Sequence, residues 1–241
     1  MDWRIASGAP TKDEGRDEIG MNQTGIGMTS ARTRARMIER LREQGIGDEV
    51  VLAALNAVPR HIFVDEALAI RAYDDVPLPI GHGQTISQPW IVARMTELAR
   101  NGRDLDAVLE IGTGCGYQTA VLAHVAKHVY SVERIAALVT KARRNLQTLK
   151  LANVSLKHGD GSHDLGETLE VDAIVVTAGA THVPTALLPY LKTGGRMVLP
   201  LSQAGDERGV QRLTVIDMTP MGLKEQTLDA VRFVPLLPGV G

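Results

Sequence analysis

Hydrophobic and polar positions change their spacing repeatedly along the chain, most clearly after residue 105. Short apolar runs, which indicate buried strands, alternate with stretches in which apolar residues recur every three or four positions, which indicates helices. The predicted strands cover residues 107–111, 128–133, 154–158, 173–177, 196–201, 211–218 and 230–235, and the predicted helices cover 117–126, 135–149 and 183–191. This alternation predicts an α/β fold with a doubly wound, mostly parallel sheet.

The end of the chain departs from this alternation. Only a turn-rich link at residues 219–222 separates the last two predicted strands, so they should close the sheet as an antiparallel hairpin. A parallel sheet that ends in such a hairpin is the usual shape of the Rossmann-like S-adenosylmethionine methyltransferases. That likeness of shape is an analogy and does not by itself define a function.

The N-terminal part of the chain predicts helices rather than strands. Helical spacing covers residues 30–44, 48–58 and 89–100, which form an N-terminal helical attachment to the sheet. Residues 1–28 have almost no apolar spacing and are predicted to be a flexible leader, with Met28 as an alternative start site. We therefore expect one domain at 29–241, in which 29–102 hold the helices and an active-site loop and 103–241 the cofactor-binding sheet.

Composition narrows the function classes further. The 241 residues are 44% hydrophobic, which suffices for a full core, and the net charge of −2 gives no global basic field for nucleic acid. Cys115 is the single cysteine, which forbids an internal disulfide and fits a reducing compartment. There is no apolar run long enough for a membrane span and no signal-peptide pattern. We expect a cytoplasmic protein that binds neither membrane nor nucleic acid.

The most informative motif is VLEIGTGCGY at residues 108–117, where a predicted strand gives way to a helix. Glycines at every second position let a ligand approach bare backbone and the helix N-terminus. The third glycine comes one place too early for the dinucleotide fingerprint G-x-G-x-x-G. Glu110 would repel a pyrophosphate but suits a cationic group, which favours the sulfonium of S-adenosylmethionine over NAD. The predicted cofactor contacts here are Glu110, Gly112, Thr113 and Gly114.

The next two predicted strands also end in acids. Glu133 follows Gly112 by 21 residues, where a carboxylate can take both ribose hydroxyls. Asp160 lies between two glycines and is predicted to reach the adenine amino group, with Gly161 beside it. Agreement of three successive strand ends supports a cofactor site.

The end of the fourth strand argues against a base amine as acceptor and against a metal ion in the site. The residues at 177–180 contain no Asn or Asp with prolines and an aromatic, the set that usually holds the exocyclic amine of a base. Residues 177–183 contain no acids that would hold a hard cation, and His124 and His128 have no evident third ligand. We therefore expect no metal.

Several segments carry a specific resemblance. They are VPRHIFV at 58–64, LPIG at 78–81, QTISQP at 84–89, the glycine motif, GDG at 159–161 and VRFVPL at 231–236. With these segments the chain resembles the protein-L-isoaspartate O-methyltransferase family from about residue 34 to its C-terminal end. The segment at 84–89 is the most diagnostic, because methyltransferases at large lack it. The resemblance implies S-adenosylmethionine as methyl donor and an L-isoaspartyl or D-aspartyl residue of a damaged protein as acceptor.

The resemblance also implies roles for individual residues. The serine at the position of Ser87 is marked as the active site in this family, and we expect its hydroxyl to hold one oxygen of the acceptor carboxylate. An exposed edge at 231–236 is expected to pair with the backbone of the damaged peptide. The predicted substrate-binding residues are Thr85, Ile86, Gln88, Val231 and Phe233.

Two alternatives stay open. One is a methyltransferase of the same fold that acts on a small molecule or RNA, and the other is a cofactor-binding sensor without turnover. The sequence does not fix the oligomeric state, and a monomer is the working expectation.

Overall fold

The computed structural model describes residues 3–5, 27–163, 165–166, 168–202 and 210–241. Five α-helices occur in these residues: α1 (Ala31–Glu43), α2 (Glu49–Ala57), α3 (Pro89–Arg100), α4 (Tyr117–Ala123) and α5 (Ala136–Thr148). The strands are β1 (Arg4–Ile5), β2 (Leu78–Gly81), β3 (Gln84–Ile86), β4 (Leu105–Ile111), β5 (Ala126–Glu133), β6 (Val154–His158), β7 (Val171–Val176), β8 (Leu191–Ser202), β9 (Gln211–Thr219) and β10 (Gly222–Val231).

Eight strands form the central sheet in the order β1-β6-β5-β4-β7-β8-β9-β10. The strands from β6 to β8 are parallel, and β9 and β10 close the sheet as an antiparallel hairpin. The chain order reverses at β4, because its neighbours β5 and β7 lie on opposite sides of it. Ligands of open α/β sheets bind at the carboxyl ends of the strands on either side of such a reversal. The predicted fold class is confirmed.

The two faces of the sheet are covered differently. Alternate residues of β4, such as Val108 and Leu109, belong to two separate apolar clusters. All five described α-helices contribute to the cluster that holds Val108. The other face is covered by loops and by a short 3-10 helix at Thr185–Tyr190, where the sequence predicted a helix at 183–191.

The ends of the N-terminal helices follow local sequence chemistry. Ser30 caps α1 by accepting a hydrogen bond from Thr33 N, and Asp48 caps α2 by accepting from Val50 N and Val51 N. Proline is tolerated in the first turn of α3, because the first amides of a helix have no partner within it. These three helices were predicted to within two residues at each end.

Three expectations need correction or restriction. The last strand covers 222–231 rather than 230–235, so it begins directly after the turn. The active-site loop expected within 29–102 includes a small hairpin, β2 and β3, which the sequence did not predict. The leader predicted at 1–28 lies mostly outside the described residues; within it, β1 pairs with β6, and Trp3 packs edge-on against Tyr130 with ring centroids 5.1 Å apart.

Candidate active site

Three adjoining cavities open at the carboxyl ends of β4, β5 and β7. The main cavity spans about 640 Å³, and the inner and outer pockets span about 340 Å³ and 360 Å³, volumes that include space open to solvent. Thr85 and Thr177 line all three, which makes the cavities one continuous site. The main cavity is lined by Ile80, Gln84, Thr85, Ile111, Gly112, Gly114, Val132, Glu133, Arg134, Ile135, Leu138, Gly161, Thr177, Ala178, Val234, Pro235, Leu236 and Leu237.

The glycine loop forms one wall of the main cavity. Gly112 has a φ of +97°, and a Cβ atom there would collide with the hydroxyl of Thr177. That hydroxyl donates to the Gly112 carbonyl oxygen at 2.6 Å, so β4 and β7 are joined directly beneath the site. A Cβ at Gly161 would lie 2.5 Å from the Ile111 side chain. Backbone conformation and close packing therefore both require glycine at position 112, and close packing requires it at position 161.

Glu133 lies at the rim of the main cavity, at the end of β5. Its Oε2 accepts a hydrogen bond from Gly114 N at 2.8 Å, and its Oε1 accepts one from Ile135 N at 2.9 Å. The carboxylate thus holds the glycine loop against the start of α5. Because each carboxylate oxygen has two acceptor sites, it can still accept further hydrogen bonds from a ligand.

Glu110 does not reach the cavities. Its side chain is fully buried beneath the glycine loop, where Oε2 accepts hydrogen bonds from Thr119 and Ser131 at 2.5 Å each. Burial raises the pKa of this carboxyl to about 8, although the two hydroxyls favour its charged form. Ser131 in turn hydrogen-bonds Thr113 at 2.6 Å. The structure places Glu110 as a support for the loop rather than as the direct cofactor contact that the sequence predicted.

Asp160 is turned towards the C-terminal segment. Its carboxylate accepts hydrogen bonds from Ser162 N, from Ser162 Oγ and from Gly239 N at 2.6–2.8 Å. Burial opposes ionisation, but the bonds from Ser162 and Gly239 outweigh it and hold the pKa of Asp160 at about 2. Its neighbour Gly161 lines the main cavity, whereas Asp160 is absent from the lining.

The residues predicted to hold the acceptor converge at the two smaller pockets. The inner pocket is lined by Thr85, Ile86, Ser87, Val92, Gly112, Thr113, Gly114, Cys115, Tyr117, Gln118 and Thr177. The outer pocket is lined by Pro77, Thr85, Ser87, Gln88, Ile91, Thr177, Arg232, Phe233 and Val234. Ser87 lies on the wall between them, and its hydroxyl has no hydrogen-bond partner in the part of the chain that the structure describes. The cap residue of α3 is Gln88, so Ser87 does not serve as the cap.

The C-terminal segment is less available than predicted. Val231 pairs with Gln211 at the end of β10 and lines none of the three cavities, whereas Phe233 lines the outer pocket. The side-chain amide of Gln211 bonds both Phe233 N and Phe233 O, at 2.7 Å and 3.3 Å. Gly179 bonds Val234 O and Leu236 N at 2.8 Å each. Contacts within the chain therefore occupy most of the edge that was predicted to pair with a peptide.

Sequence reasoning missed several lining residues. Thr177 carried a usable signal, because it directly follows β7 at the edge where ligands bind. Arg232 and residues 234–236 lie in the segment that was expected to pair with a peptide, but the pattern does not reveal that the chain returns across Gly179 after β10 and lines the main and outer cavities.

Neither an ionised thiol nor a cluster of metal ligands is found at this site among the residues that the structure describes. Cys115 is buried, and burial raises the pKa of its thiol to about 11. Among the residues that the structure describes, no three His, Cys, Asp or Glu side chains are grouped to hold a metal ion. In the same residues, no helix is long and apolar enough to cross a membrane.

A parallel sheet reversed at β4, a glycine loop over its carboxyl end and an acid at the end of β5 define a Rossmann-like methyltransferase of the S-adenosylmethionine-dependent class. The chain belongs to the protein-L-isoaspartate(D-aspartate) O-methyltransferase family, whose family model matches residues 32–240.

Individual relatives agree with this assignment. A protein-L-isoaspartate O-methyltransferase of Methylobacillus flagellatus is 61% identical over 90% of this chain and 96% of its own length. One from Nitrosomonas eutropha is 57% identical over 92% of this chain and 98% of its own. A similar solved structure is that of a Plasmodium falciparum protein described as a protein-L-isoaspartate O-methyltransferase, in complex with S-adenosyl-L-homocysteine. It has a TM-score of 0.71 and 26% identity, and the match covers 85% of this chain and 98% of that one.

Proposed function

We propose that this protein transfers a methyl group from S-adenosylmethionine to the free carboxylate of L-isoaspartyl residues, and of D-aspartyl residues, in damaged proteins and peptides. The observation that carries the proposal is the position of Ser87 in a chain of this family. Ser87 lines the two small pockets, which share Thr85 and Thr177 with the main cavity, and its hydroxyl has no partner among the residues that the structure describes. An acceptor in the small pockets and a donor in the main cavity would therefore meet beside Ser87.

The main cavity fits S-adenosylmethionine by the chemistry of its lining. Ile111, Val132 and Leu138 offer apolar surface, and Gly112 and Gly114 leave backbone uncovered. Glu133 retains acceptor capacity for ribose hydroxyls. When bound, this co-substrate supplies a sulfonium methyl group, and sulfur keeps the electron pair of the carbon–sulfur bond that breaks. Glu110 and Thr113 act on this site through the loop that they support.

The chain needs no general base for this reaction. The carboxylate of the acceptor has a reference pKa near 4 and is already ionised at pH 7. Ser87 donates a hydrogen bond to one carboxylate oxygen, which leaves the other free to attack the methyl carbon. Thr85, Ile86 and Gln88 shape the entrance and exclude water. Orientation of this kind contributes up to roughly 7–11 kcal/mol in favourable systems.

The physiological setting follows from the same assignment. The partners are damaged proteins that carry isoaspartyl residues, and the methyl ester then cyclises without the enzyme to a succinimide, which hydrolyses partly to normal aspartate. We place the protein in the cytoplasm as a monomer without nucleic-acid or membrane partners, with 29–241 as one domain. The free, buried Cys115 is compatible with a reducing compartment.

Labelled S-adenosylmethionine tests the proposal with two peptides that differ only in an isoaspartyl or aspartyl linkage. Label should enter the isoaspartyl peptide alone and should be released by mild base, as expected of a methyl ester. Equal labelling of both peptides, or no labelling of either, contradicts the proposal. Cofactor binding without any methyl transfer would instead indicate the cofactor-binding sensor. Base-stable transfer to RNA or to a small molecule would indicate a methyltransferase of the same fold with a different acceptor.

A further inference from the structure

The outer pocket has a one-sided charge. Of the nine residues that line it, only Arg232 carries a formal charge at neutral pH. The inner pocket is lined by no charged residue at all. A peptide that enters through these pockets therefore meets a single fixed charge, which is positive.

Arg232 is also free to act on a ligand. It directly follows β10, its side chain is exposed, and it forms no ion pair within the described part of the chain. Two acids of the same hairpin are engaged elsewhere: Asp229 pairs with Arg94 at 3.4 Å, and Asp217 pairs with Arg196 at 2.6 Å. The positive charge at the mouth of the outer pocket is thus not neutralised by these groups.

We infer that Arg232 sets the sequence preference of the enzyme by attracting an acidic side chain within two residues of the isoaspartyl linkage. This inference rests on the proposed function, because it takes the acceptor carboxylate to lie at Ser87. Ser87 lines both small pockets, whereas Arg232 lines only the outer one. Because the two pockets share Ser87, residues that flank a linkage held there can extend along the outer pocket, whose lining includes Arg232.

The expected effect is modest, because both partners stay in contact with water. Exposed ion pairs contribute about 0.2–1 kcal/mol, so replacing a flanking Glu by Gln should lower kcat/KM by up to about fivefold. Replacing Gln by Lys should lower kcat/KM again, through repulsion. The differences should appear mainly in KM, since the flanking residue does not touch the reacting atoms. They should shrink at high salt, which screens exposed charges.

The experiment uses three isoaspartyl peptides that differ only in a flanking Glu, Gln or Lys, assayed with the full chain. The wild-type order of kcat/KM should be Glu, then Gln, then Lys. Arg232→Gln should abolish the order, and Arg232→Lys should retain it. Arg212→Gln is the matched control, because Arg212 is an exposed arginine on the neighbouring strand that lines none of the three cavities.

Two results overturn the inference while leaving the proposed function intact. One is a wild-type enzyme that methylates all three peptides equally well at low salt. The other is an Arg232→Gln variant that slows all three by the same factor, which would mean that Arg232 holds the acceptor carboxylate or the fold. Failure of the wild-type enzyme to methylate any isoaspartyl peptide would instead overturn the proposed function.

Discussion

The buried carboxyl of Glu110 makes the stability of this protein depend on pH in a predictable direction. Burial raises its pKa from 4.5 to about 8, so the folded chain prefers the neutral acid. In the unfolded chain the same group ionises above its ordinary pKa. The stabilisation of the folded state by the neutral form is therefore complete at low pH and is lost as pH rises through about 8.

The substitution Glu110→Gln isolates this effect. An amide keeps an oxygen that can accept from Thr119 and Ser131, but it cannot ionise. With the carboxyl pKa at 4.5 unfolded and about 8 folded, the wild type should lose on the order of 3 kcal/mol between pH 5 and pH 8 relative to the variant. The variant should thus gain relative stability as pH rises.

Urea unfolding of both proteins at pH 5, 6.5 and 8 measures the difference. The exposed Glu225→Gln on β10 is the control and should follow the wild type at every pH. A wild-type-minus-variant difference that stays constant over this range would refute the argument. Because Glu110 lines none of the three cavities, the affinity of the Glu110→Gln variant for S-adenosylhomocysteine should change less than about threefold. A larger loss of affinity would mean that Glu110 contacts the cofactor directly.

Three further substitutions give independent tests. Ser87→Ala should lower kcat/KM by about 10- to 100-fold, because the acceptor carboxylate loses a hydrogen bond. The affinity for S-adenosylhomocysteine, measured by calorimetry, should stay unchanged, and Ser87→Thr should recover part of the rate. Gly112→Ala should destabilise the fold in thermal melts by more than about 2 kcal/mol and weaken S-adenosylhomocysteine binding, because it adds a collision with Thr177 to backbone strain. The control is Gly102→Ala, where φ is also positive but the space is open, so that only the backbone strain should appear. Asp172→Asn should cost about 1–2 kcal/mol at pH 7, and the cost should vanish as acid protonates the wild type.

The pH dependence of the last substitution has a defined sign. Burial opposes ionisation of Asp172, but bonds from Lys192 and from the amides of Asp106 and Ala107 lower its pKa. Its stabilisation is present above the unfolded pKa, near 3.9, and disappears as pH falls through the lower folded value. A cost of Asp172→Asn in urea unfolding that stays constant as pH is lowered below the unfolded pKa would contradict this.

Local sequence chemistry was sufficient for much of the fold. The alternation of strands and helices along the chain and the start of α2 directly after Asp48 follow from apolar spacing and cap chemistry. The site at the glycine loop followed as well, because Gly112 and Gly114 mark the end of β4. The loop around Ser87 was predicted from its resemblance to a family rather than from its pattern.

The rest depended on contacts that no local pattern encodes. Most of β10 is exposed on both faces, so its sequence lacks the alternation that identifies a half-buried strand. Because β4 is buried on both faces, its sequence does not indicate to which face the Glu110 side chain points. Only the structure shows that this side chain lies beneath the glycine loop. The same holds for Gln211, which bonds a segment 22 residues away.

The most direct test of the proposed function is a competition between the isoaspartyl and aspartyl forms of one peptide in a single reaction with S-adenosylmethionine. Tandem mass spectrometry identifies which form gains the methyl group and on which residue. We predict methylation of the isoaspartyl form alone, on its free carboxylate, at a rate that Ser87→Ala lowers. Methylation of the aspartyl form at a comparable rate, or of a residue other than isoaspartate, would contradict it.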